Sequence, residues 1–174
     1  DLGEIALAHN GNLVNAKAIQ DELAAEGCSF DSATDSEVIT VAIAKAPGAT
    51  WVDKVRNALH RAQGAYSLAL LTNDSLMAVR DPIGLRPLCL GKLNGGWVVA
   101  SETCALDHLG AQFLREVEPG ELLVITKDGV ASHHIEEPQK EAFCIFEYIY
   151  FARPDSMMKG KLLYLARERM GERL

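Results

Sequence analysis

The sequence predicts an α+β fold in which one sheet packs on another and helices lie outside. Three observations carry this expectation. Helical spacing of apolar residues clusters in the part before Gly64, where three helices follow one another. Beyond it the hydrophobic pattern breaks into short runs, and turn pairs such as Asn73-Asp74, Asn94-Gly95, Pro119-Gly120 and Asp128-Gly129 separate those runs. The chain of 174 residues is long enough for one domain with a real core, or for one domain and a piece of another. A net charge of -7 excludes nucleic acid as a main partner, because phosphate binding needs a basic face. No apolar run approaches the ~20 residues of a membrane span.

Taken in order, the run Ile5-Ala6-Leu7-Ala8 reads as a short buried strand. Residues 13–26 read as a helix capped by Asn12, with Ile19 and Leu23 one turn apart and Gly27 as its left-handed stop. Thr34-Asp35-Ser36-Glu37 has the spacing of a capping box and opens a second helix, which Val38, Ile39, Val41, Ala42 and Ile43 make apolar on most sides. Pro47-Gly48 ends it. Trp51, Val55 and Leu59 mark a third helix that closes by Gly64. Strands are expected at 65–72, 76–80, 88–93 and 97–101, a helical turn at 103–109 before Gly110, and strands at 113–117, 121–126 and 130–135. The polar stretch 136–141 is the best boundary, placing one domain at 1–138 and the start of another at 139–174. An aromatic block, 143–151, and a turn, 153–156, lead to a final helix, 161–174. Its apolar side (Leu162, Leu165, Ala166, Met170) has no obvious cover.

Chemistry concentrates at His9-Asn10-Gly11-Asn12, directly after the first apolar run. A strand ending in Asn-Gly can point a carboxamide and an unhindered backbone N–H out together. Two converging donors are what a tetrahedral oxyanion needs, because they stabilise charge that appears only in the transition state. The same dipeptide is also a strong hairpin signal.

Three strings carry a resemblance: HNGN at 9–12, RDPIGLRPL at 80–88 and CIFEYIYFARPDS at 144–156. The first two resemble the class II glutamine amidotransferases, and the third resembles the amidophosphoribosyltransferase family in particular. The resemblance implies a four-layer α/β/β/α sandwich of N-terminal-nucleophile hydrolase type, incomplete at its N-terminus, followed by the start of a phosphoribosyltransferase domain. It implies glutamine hydrolysis by an N-terminal cysteine thiolate with its own α-amino group as base. Ammonia would then displace pyrophosphate from phosphoribosyl pyrophosphate to give 5-phosphoribosylamine, the first step of de novo purine biosynthesis. Asn10 and Gly11 would hold the oxyanion, and Asp35 would receive the substrate's α-amino group, although an acid at a helix start is favoured by the dipole alone. His9 is expected as structural support, not as a base. His133-His134 reads as surface, and Arg80, Asp81 and Arg86 as a tight loop held by charge pairs.

Cys28, Cys89, Cys104 and Cys144 lie far apart with no C-x-x-C pair, which suits reduced thiols in a cytoplasmic protein. Some family members hold an iron–sulfur cluster to which a cysteine at position 144 gives one ligand, so Cys144 is either that or a buried thiol. Mg2+ would belong with the phosphoribosyltransferase domain, and a homo-oligomer is expected. None of the four cysteines is N-terminal. The chain is therefore read as an internal piece that is inactive alone. Two alternatives remain: a class II amidotransferase with another ammonia acceptor, and a non-catalytic glutamine-binding relative.

Overall fold

Antiparallel pairing reaches further along the first strand than turn propensity predicts. In the computed structural model, which describes residues 2–174, β1 (Ala6–Leu13) does not stop at His9. It runs through Asn10, Gly11 and Asn12 beside β2 (Gly64–Leu71), in register from Ala6↔Leu71 to Leu13↔Gly64. Asn10-Gly11 is thus mid-strand, and Asn12 is a strand residue instead of a helix cap. Tertiary ladder pairing has overridden a local signal. α1 (Ala16–Ala25) accordingly starts later than expected, after Asn15. The Asn15 carboxamide does not cap the helix; it bonds to the loop before β2, donating to Arg61 O (2.8 Å) and accepting from Gln63 N (2.9 Å). Gly27, with φ +89°, ends α1 as predicted.

α2 (Asp35–Lys45) begins at the expected Thr34, whose hydroxyl accepts the Glu37 N–H at 3.4 Å. The reciprocal half of the box is replaced. Glu37 reaches back past Thr34 to the N–H groups of Asp31 and Ser32, each at 2.7 Å. The full reciprocal box occurs instead at Thr50 and Asp53, opening α3 (Trp51–Leu59).

The remaining strands of the body are β3 (Leu76–Arg80), β4 (Cys89–Leu93), β5 (Gly96–Ala100), β6 (Gln112–Glu116), β7 (Glu121–Thr126) and β8 (Gly129–His134), with α4 (Thr103–Leu109) after β5. They form a five-stranded sheet in the order β1-β2-β3-β7-β8 and a three-stranded sheet in the order β5-β4-β6, antiparallel throughout. Ile19, Leu23, Ile39, Ile43, Val55 and Leu59 pack from the helices onto Leu68, Leu70, Met77 and Leu122 of the larger sheet. The opposite face contributes Ala78, Leu123 and Ile125, which meet Leu88, Leu90 and Val117 between the sheets. On the outer face of the smaller sheet, Leu106 of α4 packs on Cys89 and Ala111. Alternating side chains in each strand therefore generate the four layers α/β/β/α.

The segment after residue 138 lies against this body. Gln139 and Ala142 donate their N–H groups to the carbonyls of Pro82 and Ile83, both at 2.8 Å. A π-helical turn (Glu147–Phe151) follows. Arg153 N and Ser156 Oγ then donate to one oxygen of Glu102, Met157 N to Thr103 Oγ1, and Lys159 N to Glu116 Oε1, over 2.7–2.9 Å. β9 (Met157–Met158) pairs with β10 (Lys161–Leu162), so α5 (Leu163–Gly171) is shorter than the predicted 161–174. Leu165 and Met170 on α5 are exposed, as expected of an uncovered side. Among the described residues no helix is long and apolar enough to cross a membrane.

Candidate active site

β1 is an edge strand, and its alternation sorts the His-Asn-Gly residues by direction. His9 faces the helices and its side chain is 2% exposed; Asn10, one residue on, faces the other way and meets Ser101, just past the end of β5. Gly11 stands opposite Tyr66, yet the two exchange no main-chain bond. The Tyr66 N–H donates to Asp81 Oδ2 (3.1 Å), and its carbonyl accepts the Asp81 N–H (2.8 Å). Both main-chain groups of Tyr66 are turned toward β3. Gly11 thus occupies a non-hydrogen-bonded position, and its N–H points out along the free edge of β1. The Leu13 N–H, in the same phase, donates to Asp35 Oδ2 at 3.1 Å.

Glycine is required at position 11 by close approach. A Cβ there would collide with the Ala65 carbonyl oxygen and sit 2.7 Å from His9 Nε2.

The Asn10 carboxamide is fixed in orientation. Arg86 Nε donates to its Oδ1 at 3.1 Å, and its Nδ2 donates to Ser101 Oγ at 3.3 Å. A guanidinium has donors only, so it selects the oxygen side of the amide and leaves Nδ2 as the outward donor. Asn10 Nδ2 and the Gly11 N–H are thus donors on adjacent residues of the edge strand β1.

Arg86 is aimed by the loop that precedes it. Arg80 is 4% exposed and spends its guanidinium on the carbonyls of Arg86, Gly84 and Val117 (2.7–3.0 Å), with Glu116 at 3.3 Å. Asp81, fully buried, accepts from the N–H groups of Tyr66, Ile83 and Leu85. Burial pushes its carboxyl above the usual carboxylate range, and those three amides oppose the shift. Charge pairing holds for Arg80 with Glu116 and for Arg86 with Glu147 at 2.8 Å. For Asp81 it does not: the partners are main-chain amides, because a tight turn offers N–H groups with no ladder to join.

Asp35 opens α2 beside β1. Besides the Leu13 N–H it approaches His9 Nδ1, 3.4 Å from Oδ1, and it remains 22% exposed. His9 Nδ1 also lies 3.4 Å from Ser36 Oγ, while Nε2 is buried with no partner. The fold thus brings His9, Asn10, Gly11 and Asp35 together, and adds Arg86, Ser101 and Ser36, whose part no spacing in the sequence revealed. Cys144 is half-buried, and among the described residues no three His, Cys, Asp or Glu gather to hold a metal ion. Burial raises the Cys89 thiol to about 12, which makes it unreactive. His134 is exposed on β8. A cleft of about 830 Å³ is lined by Ser101, by residues of α4, and by Arg153 and Asp155.

Residues 1–108 match the glutamine amidotransferase domain family. The chain is 48% identical over 179 residues to an amidophosphoribosyltransferase of Synechocystis sp., covering 99% of this chain and 36% of the relative. With the amidophosphoribosyltransferase of Homo sapiens it shares 41% identity over 196 residues, covering 99% and 38%. A solved glutamine phosphoribosylpyrophosphate amidotransferase from B. subtilis, complexed with ADP and GMP, superposes with a TM-score of 0.95 at 42% identity, over 98% of this chain and 37% of that one. A glutamine aminotransferase class-II domain protein from Silicibacter pomeroyi, 19% identical with a TM-score of 0.58, covers 76% of this chain and 66% of its own and shares the fold alone. The chain spans a little over a third of these curated relatives, 36% and 38% of their lengths. The expected α+β fold of N-terminal-nucleophile hydrolase type is the fold found.

Proposed function

This chain belongs to the glutamine amidotransferase domain family, and from that premise we propose that it is the glutamine-hydrolysing part of an amidophosphoribosyltransferase. The protein would release ammonia from glutamine and use it to convert phosphoribosyl pyrophosphate to 5-phosphoribosylamine, opening de novo purine biosynthesis. One observation carries the assignment: a carboxamide donor oriented by Arg86 stands next to a main-chain N–H that the ladder leaves free. In acyl transfer the substrate oxygen turns from a carbonyl into an oxyanion. Asn10 Nδ2 and Gly11 N–H would meet that charge as it forms, without reorganisation at the moment of reaction.

Asp35 would bind the substrate's α-ammonium, selecting an amino acid over a simple amide. Its carboxylate is tied on one side to Leu13 and His9 and is partly open on the other, which supports this role. His9 would hold Asp35 and line the underside of Gly11. The thiolate nucleophile is the N-terminal cysteine of the family, which none of the four cysteines here provides.

We further take residues 1–138 as glutaminase and 139–174 as the start of the phosphoribosyltransferase domain, in a cytoplasmic homo-oligomer. Four free thiols support the compartment. Phosphoribosyl pyrophosphate and Mg2+ are assigned to no residue of this chain. Cys144 would give one thiolate to a four-thiolate iron–sulfur cluster, and among the described residues no group of three or more His, Cys, Asp or Glu gathers to complete such a site.

The test is Asn10→Ala in the complete protein. Glutamine-dependent turnover should fall by ~10²–10³, while synthesis from added ammonia, which bypasses the hole, stays near its normal rate. Equal loss of both activities overturns the assignment.

A further inference from the structure

Arg86 touches more than Asn10, and what it touches lies in the segment beyond residue 138. Its Nη1 stands 2.8 Å from Glu147 Oε1, and its guanidinium carbon lies 5.1 Å from the centre of the Phe151 ring. Glu147 and Phe151 are the first and last residues of the π-helical turn, so one wide turn supplies both an anion and an aromatic face. Glu147 is 5% exposed on its side chain, and Arg86 is 20% exposed. The turn is itself held in place, because Arg167 of α5 donates to the carbonyls of Glu147, Tyr148 and Ala152 over 2.6–3.1 Å. A continuous chain of contacts thus runs from Asn10 Oδ1 through Arg86 to Glu147 and on to Arg167.

We propose that Glu147 is a positioning residue for glutamine hydrolysis: it anchors the Arg86 guanidinium so that Arg86 Nε selects the productive face of the Asn10 carboxamide. This rests on Asn10 acting in the oxyanion hole. Among the described residues Glu147 is the only carboxylate within 4 Å of the Arg86 guanidinium, and without that anion Nε loses the fixed line to Asn10 Oδ1. An Asn side chain free to exchange its oxygen and nitrogen offers an acceptor to the oxyanion part of the time. It then repels the charge it should stabilise. The geometry of the hole consequently depends on the seating of the π-helical turn.

A double-mutant cycle in the complete protein tests this. Glu147→Gln, nearly isosteric, should lower the glutaminase kcat about tenfold, leaving the glutamine KM and ammonia-dependent synthesis unchanged. Arg86→Lys keeps a cation opposite Glu147 but loses the fork, and should cost at least as much. In an Asn10→Ala background, Glu147→Gln should change kcat by less than about twofold, because the group it acts through is gone. The same fold-loss in both backgrounds, or no loss with Asn10 present, overturns the proposal. An Asn10→Ala protein that hydrolyses glutamine at the full rate overturns the oxyanion assignment, and this proposal with it.

Discussion

Asp35 and Leu13 meet across 22 positions of sequence, the Leu13 N–H donating to Asp35 Oδ2 at 3.1 Å. One bond thereby seats the start of α2 on the free edge of β1, two residues beyond Gly11. Replacing Asp35 tests whether its charge serves the substrate or only this contact. Asp35→Asn keeps an acceptor for Leu13 and removes the charge, whereas Asp35→Ala removes both. Both variants should show a large rise in glutamine KM with a smaller effect on turnover. A normal KM for Asp35→Asn in steady-state assays would mean that the residue serves structure alone.

Gly11→Ala should destabilise the protein by about 1–3 kcal/mol, the usual cost of overpacking a close contact. The added methyl meets the Ala65 carbonyl oxygen and His9 Nε2, neither of which is the far end of a flexible chain. Urea unfolding of the variant checks this, and an unchanged midpoint would show that β1 and β2 separate easily here.

In the proposed mechanism His9 supports Asp35 and Gly11 without taking a proton from the nucleophile. His9→Asn should therefore reduce turnover only a few-fold and leave the pH dependence of kcat/KM in place. Loss of the limb that reports the general base would assign that part to the imidazole.

Glu121 gives the fold an acid-sensitive tie. It is 2% exposed, and burial alone would raise its carboxyl, but Arg115 in a two-bond fork (2.7 and 2.8 Å), Ser132 and the Glu118 N–H hold it below its ordinary 4.5. A depressed carboxyl contributes stability that is fully present above pH 4.5 and is lost as the pH falls through the folded-state value. Glu121→Gln should lower stability at neutral pH and flatten its decline below pH 4.5, read from urea midpoints across pH 3–7. A parallel decline in both proteins would place the acid sensitivity elsewhere.

The α+β class and most of its elements were legible because the governing signals are local. The strands at 76–80 and 121–126 coincide with β3 and β7, and Gly110 ends α4 with φ +70°. Errors arose where a distant partner decided. Asn10-Gly11 reads as a strand end or turn until β2 pairs alongside it, and Asn12 reads as a cap until that same ladder claims it. At the site, Asn10, Gly11 and Asp35 carry signatures of residue type. The part of Arg86 shows none, since its contact to Asn10 spans 76 residues and is made by a loop shaped from within by Arg80 and Asp81.

The attachment of residues 153–159 is lopsided. The tail offers main-chain N–H groups from Arg153, Met157 and Lys159, whereas the body answers with the side chains of Glu102, Thr103 and Glu116. Every residue except proline brings an N–H, so sequence drift at positions 153, 157 and 159 leaves these three bonds intact. On the tail only Ser156, whose hydroxyl also donates to Glu102, is held to a chemical identity; on the receiving side all three residues are, and a change in any one of them loosens the strip.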